Sequence, residues 1–317
     1  VENIYLQTYL APLAPFLARE DVTDIYINRP GEIWIEAYGR RPERHPVADL
    51  TRETLQHLVR QVASLSAQGI SREHPLLAAS LPSGDRIQVV VPPATRGEIA
   101  IAIRKHIVAN LMLEDFLAAD PPRVGSMAAR LPEPELIGDI QNPLGLLREA
   151  VRDKATILIS GGTSTGKTTL LNTLLREVPA DERLILIEDA PEISVAHENA
   201  VGLIAARGSL READVNVDDL LVASLRMRPD RIILGEIRGS EAYTFLRAIN
   251  TGHPGSMCTI HANSPEGAVK QLAFLAQQAG LRTGWDDLLS YIRESIDVFV
   301  HLERVGGKIA LASIAHR

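Results

Sequence analysis

Ala155-Thr156-Ile157-Leu158-Ile159-Ser160-Gly161-Gly162-Thr163-Ser164-Thr165-Gly166-Lys167-Thr168-Thr169-Leu170-Leu171-Asn172-Thr173-Leu174-Leu175 is the stretch whose reading decides the fold. Ile157, Leu158 and Ile159 make a short, wholly apolar run, which suits a strand buried on both faces of a parallel sheet. Gly161 to Thr168 then fits G-x-x-x-x-G-K-[ST]. In such a loop backbone N–H groups wrap phosphates, Lys167 neutralises the β- and γ-phosphates, and the Thr168 hydroxyl helps hold Mg²⁺. A helix beginning near Lys167, with Leu170, Leu171, Leu174 and Leu175 at helical spacing, points its positive end at the anion. A plain turn joining two core elements would give Lys167 no reason to be there.

Composition sets the outer limits. With 317 residues, 45% of them hydrophobic and 23% charged, the chain can build two domains with ample cores. No apolar run approaches the roughly 18 residues of a membrane span. The start lacks the basic-then-apolar pattern of a secretory signal, so the expected location is the cytoplasm. The single cysteine, Cys258, has no internal disulfide partner and reads as a small buried residue. A net charge of −7 and 4% aromatic residues argue against nucleic acid as a direct partner.

Upstream of the phosphate loop the pattern is α+β. Residues 2–19 read as a helix broken at Pro12 and Pro15, and Ile25 to Glu36 as strand, turn and strand, with Trp34 assigned to the core. Thr51 caps a helix through Leu65, and 86–91 and 98–104 read as an antiparallel pair. Pro121, Pro122, Pro132, Pro134 and Pro143 then break the chain. The expected organisation is an α+β domain over 1–130, a linker over 131–143, and a larger α/β domain over 144–317. In that second domain helix and strand alternate: helices at 144–153, 217–226, 240–250 and 264–279, strands at 183–188, 201–205, 231–237 and 256–260, and a closing hairpin at 298–302 and 309–314. Such alternation around a phosphate loop means a parallel sheet with right-handed crossovers.

Sheets of this kind place their chemistry at the carboxyl ends of the strands. Two apolar strands end there in acid: Ile185-Leu186-Ile187 runs into Glu188, and Ile232-Ile233-Leu234-Gly235 into Glu236. Nucleotide hydrolysis needs one carboxylate to orient or deprotonate water and another to help hold Mg²⁺. Glu188 is the candidate for the water, and Glu236, with Thr168, for the metal. His261 ends a third apolar strand and is placed to meet a γ-phosphate; no Cys or acid stands at ligand spacing for a metal reading. Arg86, Arg104, Arg123, Arg207, Arg226, Arg228 and Arg238 could each supply further charge, and spacing alone does not choose among them.

Taken together, these boxes resemble the traffic ATPases of bacterial secretion, and within them the hexameric type IV secretion ATPases of the VirB-eleven family. The likeness is carried by Asn28 to Glu36, Arg86 to Pro93, the acidic box Ile187-Glu188-Asp189-Ala190-Pro191-Glu192, the Walker B segment Arg226 to Arg238, and the His box Gly252-His253 through His261-Ala262-Asn263. It implies a RecA-like P-loop NTPase domain behind a smaller N-terminal domain, stacked rings in a homohexamer, and ATP with Mg²⁺ bound between the two domains of a subunit. It further implies inner-membrane components and other ATPases of a secretion machine as partners, with peripheral association at the inner membrane. Glu188 would be catalytic, Glu236 the Walker B acid, His261 the γ-phosphate sensor, and Arg104 the residue by which the N-terminal domain reaches the phosphates, with Arg123 a second choice. One departure stands out: the family commonly has Gly where this chain has Ser164. An ATPase motor is the first expectation, a nucleotide-gated docking ring that selects partners the second, and a helicase the third.

Overall fold

The computed structural model describes residues 4–37, 40–105, 111–117, 123–124, 142–194, 197–205, 214–305 and 308–316. Contacts divide the chain into two units, Val1–Ile107 with Ala206–Asp214, and Val108–Ala205 with Val215–Arg317.

In the first unit the entry helix is broken as its prolines require: α1 (Ile4–Leu10), a 3₁₀ turn (Ala11–Leu13) and α2 (Ala14–Leu17), each new turn opening beside a proline that needs no N–H there. Six strands follow: β1 (Val22–Ile27), β2 (Glu32–Ala37), β3 (Glu43–Pro46), β4 (Leu76–Ser80), β5 (Arg86–Val90) and β6 (Ala100–Arg104). They form an antiparallel sheet in the order β3-β2-β1-β6-β5-β4. One face is apolar. Ile25, Ile27, Ile33, Ile35, Ile101 and Ile103 pack there under α3 (Arg52–Leu65), which supplies Leu55, Leu58, Val59 and Val62. The Thr51 side chain accepts from the Thr54 N–H at 3.2 Å, the expected cap. Trp34 corrects the sequence reading: strand alternation turns it away from Ile33 and Ile35, and it is only half-buried. β3 and β4, which the sequence reading left out, are the two edge strands.

The second unit contains α4 (Pro143–Arg152), β8 (Ile157–Gly161), α5 (Lys167–Leu175), β9 (Leu184–Glu188), β10 (Ala200–Ile204), α6 (Val217–Ser224), β11 (Arg231–Ile237), α7 (Glu241–Asn250), β12 (Met257–His261), α8 (Pro265–Gln278), α9 (Trp285–Ser295), β13 (Val298–Val305) and β14 (Lys308–His316), with a two-residue strand β7 (Arg123–Val124). The sheet order is β10-β9-β11-β12-β8-β13-β14-β7, parallel from β10 to β13. Alternate strand residues feed two cores. Leu158, Ile185, Ile187, Ile232, Leu234 and Cys258 face one of them, which α6 to α9 complete. Ile157, Ile159, Leu184, Leu186, Ile233 and Met257 face the other, beneath α4 and α5. That is why these strands read as continuous apolar runs rather than alternating ones.

Three differences from the sequence reading concern this unit. Leu113 and Phe116, in a 3₁₀ turn assigned by sequence to the first domain, are buried in the second core beside Leu170 and Leu174. The expected linker, 131–143, lies outside the described residues apart from Asn142 and Pro143, which cap and begin α4. Helix α9 was not anticipated; Gly284 at its N-cap gives no side-chain signal, although Leu288, Leu289 and Ile292 hold it to the core.

Candidate functional site

Four neighbouring parallel strands, β9, β11, β12 and β8, end on the same edge of the sheet, and their last residues include Glu188, His261 and Gly161. Glu236 stands one residue before the end of β11. The topology thus gathers on one edge side chains spread across a hundred positions of sequence.

The loop from β8 to α5 is closely packed. A Cβ on Gly161 would fall 2.5 Å from Thr165 Oγ1 and 2.8 Å from the Leu302 carbonyl oxygen. Gly166, the N-cap of α5, has φ +86°, and a Cβ there would stand 2.5 Å from Ile309 Cδ1. Ser164 also lies in the left-handed region, at φ +59°, a conformation that costs a residue carrying a Cβ about 1 kcal/mol. The Thr165 hydroxyl donates to the Gly162 carbonyl at 2.9 Å, and Arg304 Nε donates to the Ser164 carbonyl at 2.7 Å. Left-handed residues at 164 and 166 help turn successive N–H groups into one concavity, an anion cradle that continues into the N-terminus of α5. Thr163 lies in this turn, and Thr168 and Thr169 in the first turn of the helix.

Lys167 is buried. Its ammonium donates to the carbonyls of Gly161 (3.1 Å) and Gly162 (2.9 Å) and stands 3.3 Å from His261 Nδ1. Because an ammonium has no acceptor, Nδ1 must be the accepting nitrogen, which leaves the ring proton on Nε2. On that side Glu236 Oε1 is 3.0 Å away. The pair is close but off the line of a hydrogen bond, so Glu236 Oε1, although buried, has no donor among the described residues. Its other oxygen accepts from Arg238 Nη2 at 2.7 Å, which raises the affinity of that guanidinium for its proton. Arg238 Nη1 reaches to 3.8 Å from Asp189. A groove of about 290 Å³, lined by Glu236, Ile237, Arg238, Ile260, His261 and Gln271, opens beside this row.

Glu188 is buried at the end of β9, and its Oε1 accepts the N–H groups of Glu192 (2.8 Å) and Ile193 (2.7 Å). The acidic box therefore folds back on its own first carboxylate and fixes its orientation. Glu192 in turn accepts from the Thr168 hydroxyl at 3.4 Å. Sequence spacing offered no sign of that contact, because the rest of α5, the strand β9 and the turn after it separate the two.

The structure thus brings Gly161, Gly162, Thr163, Ser164, Thr165, Gly166, Lys167, Thr168, Thr169, Glu188, Glu236 and His261 to one edge of one unit. Arg104 belongs to the other unit, where it ends β6 and pairs with Asp24 at 3.3 Å. Arg207 lies outside the described residues. Sequence reasoning missed Arg304 and gave Glu192 no role. For Mg²⁺ the test is chemical. Among the described residues no cluster of three His, Cys, Asp or Glu side chains could hold a metal by itself. A hydroxyl and a carboxylate completed by phosphate oxygens and water is nonetheless the donor set Mg²⁺ prefers, and the donor-less buried Glu236 Oε1 fits it.

Residues 7–305 match the family described as type II/IV secretion system protein. The chain is 34% identical over 327 residues to the type IV secretion system protein VirB11 of Bartonella henselae, covering 97% of this chain and 91% of that one. It is 37% identical over 308 residues to the type IV secretion system protein PtlH homolog of Bordetella bronchiseptica, covering 95% and 91%. The crystal structure of the VirB11 ATPase from the Brucella suis type IV secretion system, in complex with sulphate, matches 98% of this chain and 94% of its own at 32% identity and a TM-score of 0.51.

Proposed function

The chain belongs to the type II/IV secretion system protein family, and on that premise we propose that it is an ATP-hydrolysing motor that powers assembly of, or substrate transfer through, a bacterial type IV secretion system. The observation that carries the reading is the row Lys167, His261, Glu236, which runs from the phosphate loop to a strand-end acid across the intervening strand β12. One strand between the loop strand and the acid strand is also what supports a RecA-like assignment of this unit.

The roles follow from position. The N–H groups of residues 162–168 and the Lys167 ammonium grip the β- and γ-phosphates. Thr168 and Glu236 are the residues that would hold Mg²⁺, which draws charge from the phosphate oxygens when bound. Glu188, oriented by two backbone N–H groups, positions the attacking water and accepts its proton. His261, within reach of both Lys167 and Glu236, feels the presence or loss of the γ-phosphate and passes it to the groove beside α8. Closing and opening around the nucleotide convert hydrolysis into movement.

A homohexamer at the cytoplasmic face of the inner membrane, docked on membrane components and companion ATPases, is the assembly we propose. Among the described residues no helix is long and apolar enough to cross a membrane. The test is retention of a fluorescent ATP analogue with Mg²⁺ by the purified chain. Lys167→Ala is expected to weaken it by about 100-fold or more, since it removes the cation from the cradle. A wild-type chain that retains no nucleotide, or an unaffected Lys167→Ala variant, overturns the reading.

A further inference from the structure

The phosphate loop adopts a backbone conformation that its own sequence resists. Ser164 sits at φ +59°, where a Cβ is disfavoured, yet the loop depends on that turn to aim its N–H groups inward. A contact from outside the loop can offset that cost, and the structure supplies one. The Ser164 carbonyl accepts a hydrogen bond from Arg304 Nε at 2.7 Å, from a residue 140 positions away on β13.

The same hairpin touches the loop at two more points. The Leu302 carbonyl occupies the space beside Gly161, and Ile309 of β14 fills the space beside Gly166. β8 has β12 on one side and β13 on the other. His261 therefore flanks the loop from one side, and the β13–β14 hairpin buttresses it from the opposite side.

We propose that Arg304 is a positioning residue for nucleotide binding: by holding the Ser164 carbonyl it keeps the phosphate loop in its left-handed turn and offsets the strain of a serine at that position. The proposal rests on the reading of this loop as the nucleotide site. It makes a statement that a general electrostatic role would not. The contribution of Arg304 depends on which residue stands at 164, because glycine adopts the turn unaided. It also depends on the guanidinium Nε–H, a donor of fixed geometry, rather than on charge alone.

The experiment is a double-mutant cycle in the full chain with Arg304→Ala, Ser164→Gly and the pair, read in two ways. With ATP and Mg²⁺, Arg304→Ala should raise KM by about fivefold, as expected for one lost charge-assisted hydrogen bond near the surface, with kcat changed less than about twofold. In the Ser164→Gly background the same substitution should cost less than about twofold. Arg304→Lys should behave as Arg304→Ala. The second readout is the urea unfolding midpoint without nucleotide, which Arg304→Ala should lower more in the wild-type background than in the Ser164→Gly background. Equal effects in both backgrounds, or full rescue by Arg304→Lys, overturn the proposal. If the wild-type chain retains no nucleotide, the reading of the site fails by itself, and the unfolding cycle still decides whether Arg304 supports the Ser164 turn.

Discussion

The two ends of the parallel sheet carry similar charged residues and use them in opposite ways. At the amino end Arg231, fully buried, donates to Glu182 through Nε (2.6 Å) and Nη2 (3.1 Å), and Lys154 stands 3.7 Å from the same carboxylate. Every contact there closes on another residue of the fold. At the carboxyl end Lys167 donates to loop carbonyls, Glu236 Oε1 lies near His261 without a hydrogen bond, and the His261 side chain is 44% exposed. A closed bidentate pair fixes the first residue of β11 against the loop that precedes β9. An open row of charge has interactions left to make with a ligand. Burial alone does not separate the two ends, since Lys167, Glu188, Glu182 and Arg231 are all buried; the donor-less Glu236 Oε1 does.

The widest test of this contrast is Glu188→Gln. The amide oxygen can still accept the Glu192 and Ile193 N–H groups, so the turn stays in place while the base is lost. ATP turnover should fall by about 10²- to 10⁴-fold with nucleotide retention kept. A variant that hydrolyses normally would move the catalytic assignment elsewhere on the edge. At the opposite end Arg231→Ala should lower unfolding stability by about 3 kcal/mol, because it strips both guanidinium hydrogen bonds from the buried Glu182 carboxylate and leaves it, among the described residues, only Lys154 at 3.7 Å. Calorimetric or denaturant unfolding measures this, and nucleotide retention by the fraction that remains folded should be unchanged. A loss of binding out of proportion to the loss of fold would break the division between the two ends.

The smallest effect is a pH dependence near the loop. His301 on β13 is buried, with Nδ1 2.9 Å from Ser160 Oγ. Burial pushes its imidazole below the ordinary value, Glu303 opposing and the Lys167 charge adding to the shift. The unfolded chain then takes up a proton that the folded chain refuses. Stability should therefore be whole above about pH 6.5 and decline as pH falls below it towards the lowered folded value. His301→Gln should flatten that part of the stability profile. An unchanged slope would show that the imidazole does not distinguish the two states.

Much of this molecule was legible where a local rule and a tertiary role coincide. The apolar runs of β8, β9, β11 and β12, the Thr51 and Asn216 caps, and the strand-end acids all announce themselves, because double-sided burial and orphan N–H groups leave compositional traces. The edge strand β3, Glu-Arg-His-Pro, carries no apolar alternation and exists only by pairing with β2. Ser164 could be flagged from sequence as an unusual residue for a left-handed position, but the guanidinium that answers it could not, since nothing local links position 304 to position 164. The contact of Thr168 with Glu192 escaped for the same reason.

The buttress of the phosphate loop has a consequence for how the chain matures. Residues 161–168 leave the ribosome long before Leu302, Arg304 and Ile309, which form one wall of the cradle. Synthesis runs from the amino end at about 5–20 residues per second, so the cradle waits several seconds for that wall. The nascent chain therefore passes through a stage in which the lysine-bearing turn has been made and the wall supplied by Leu302, Arg304 and Ile309 has not.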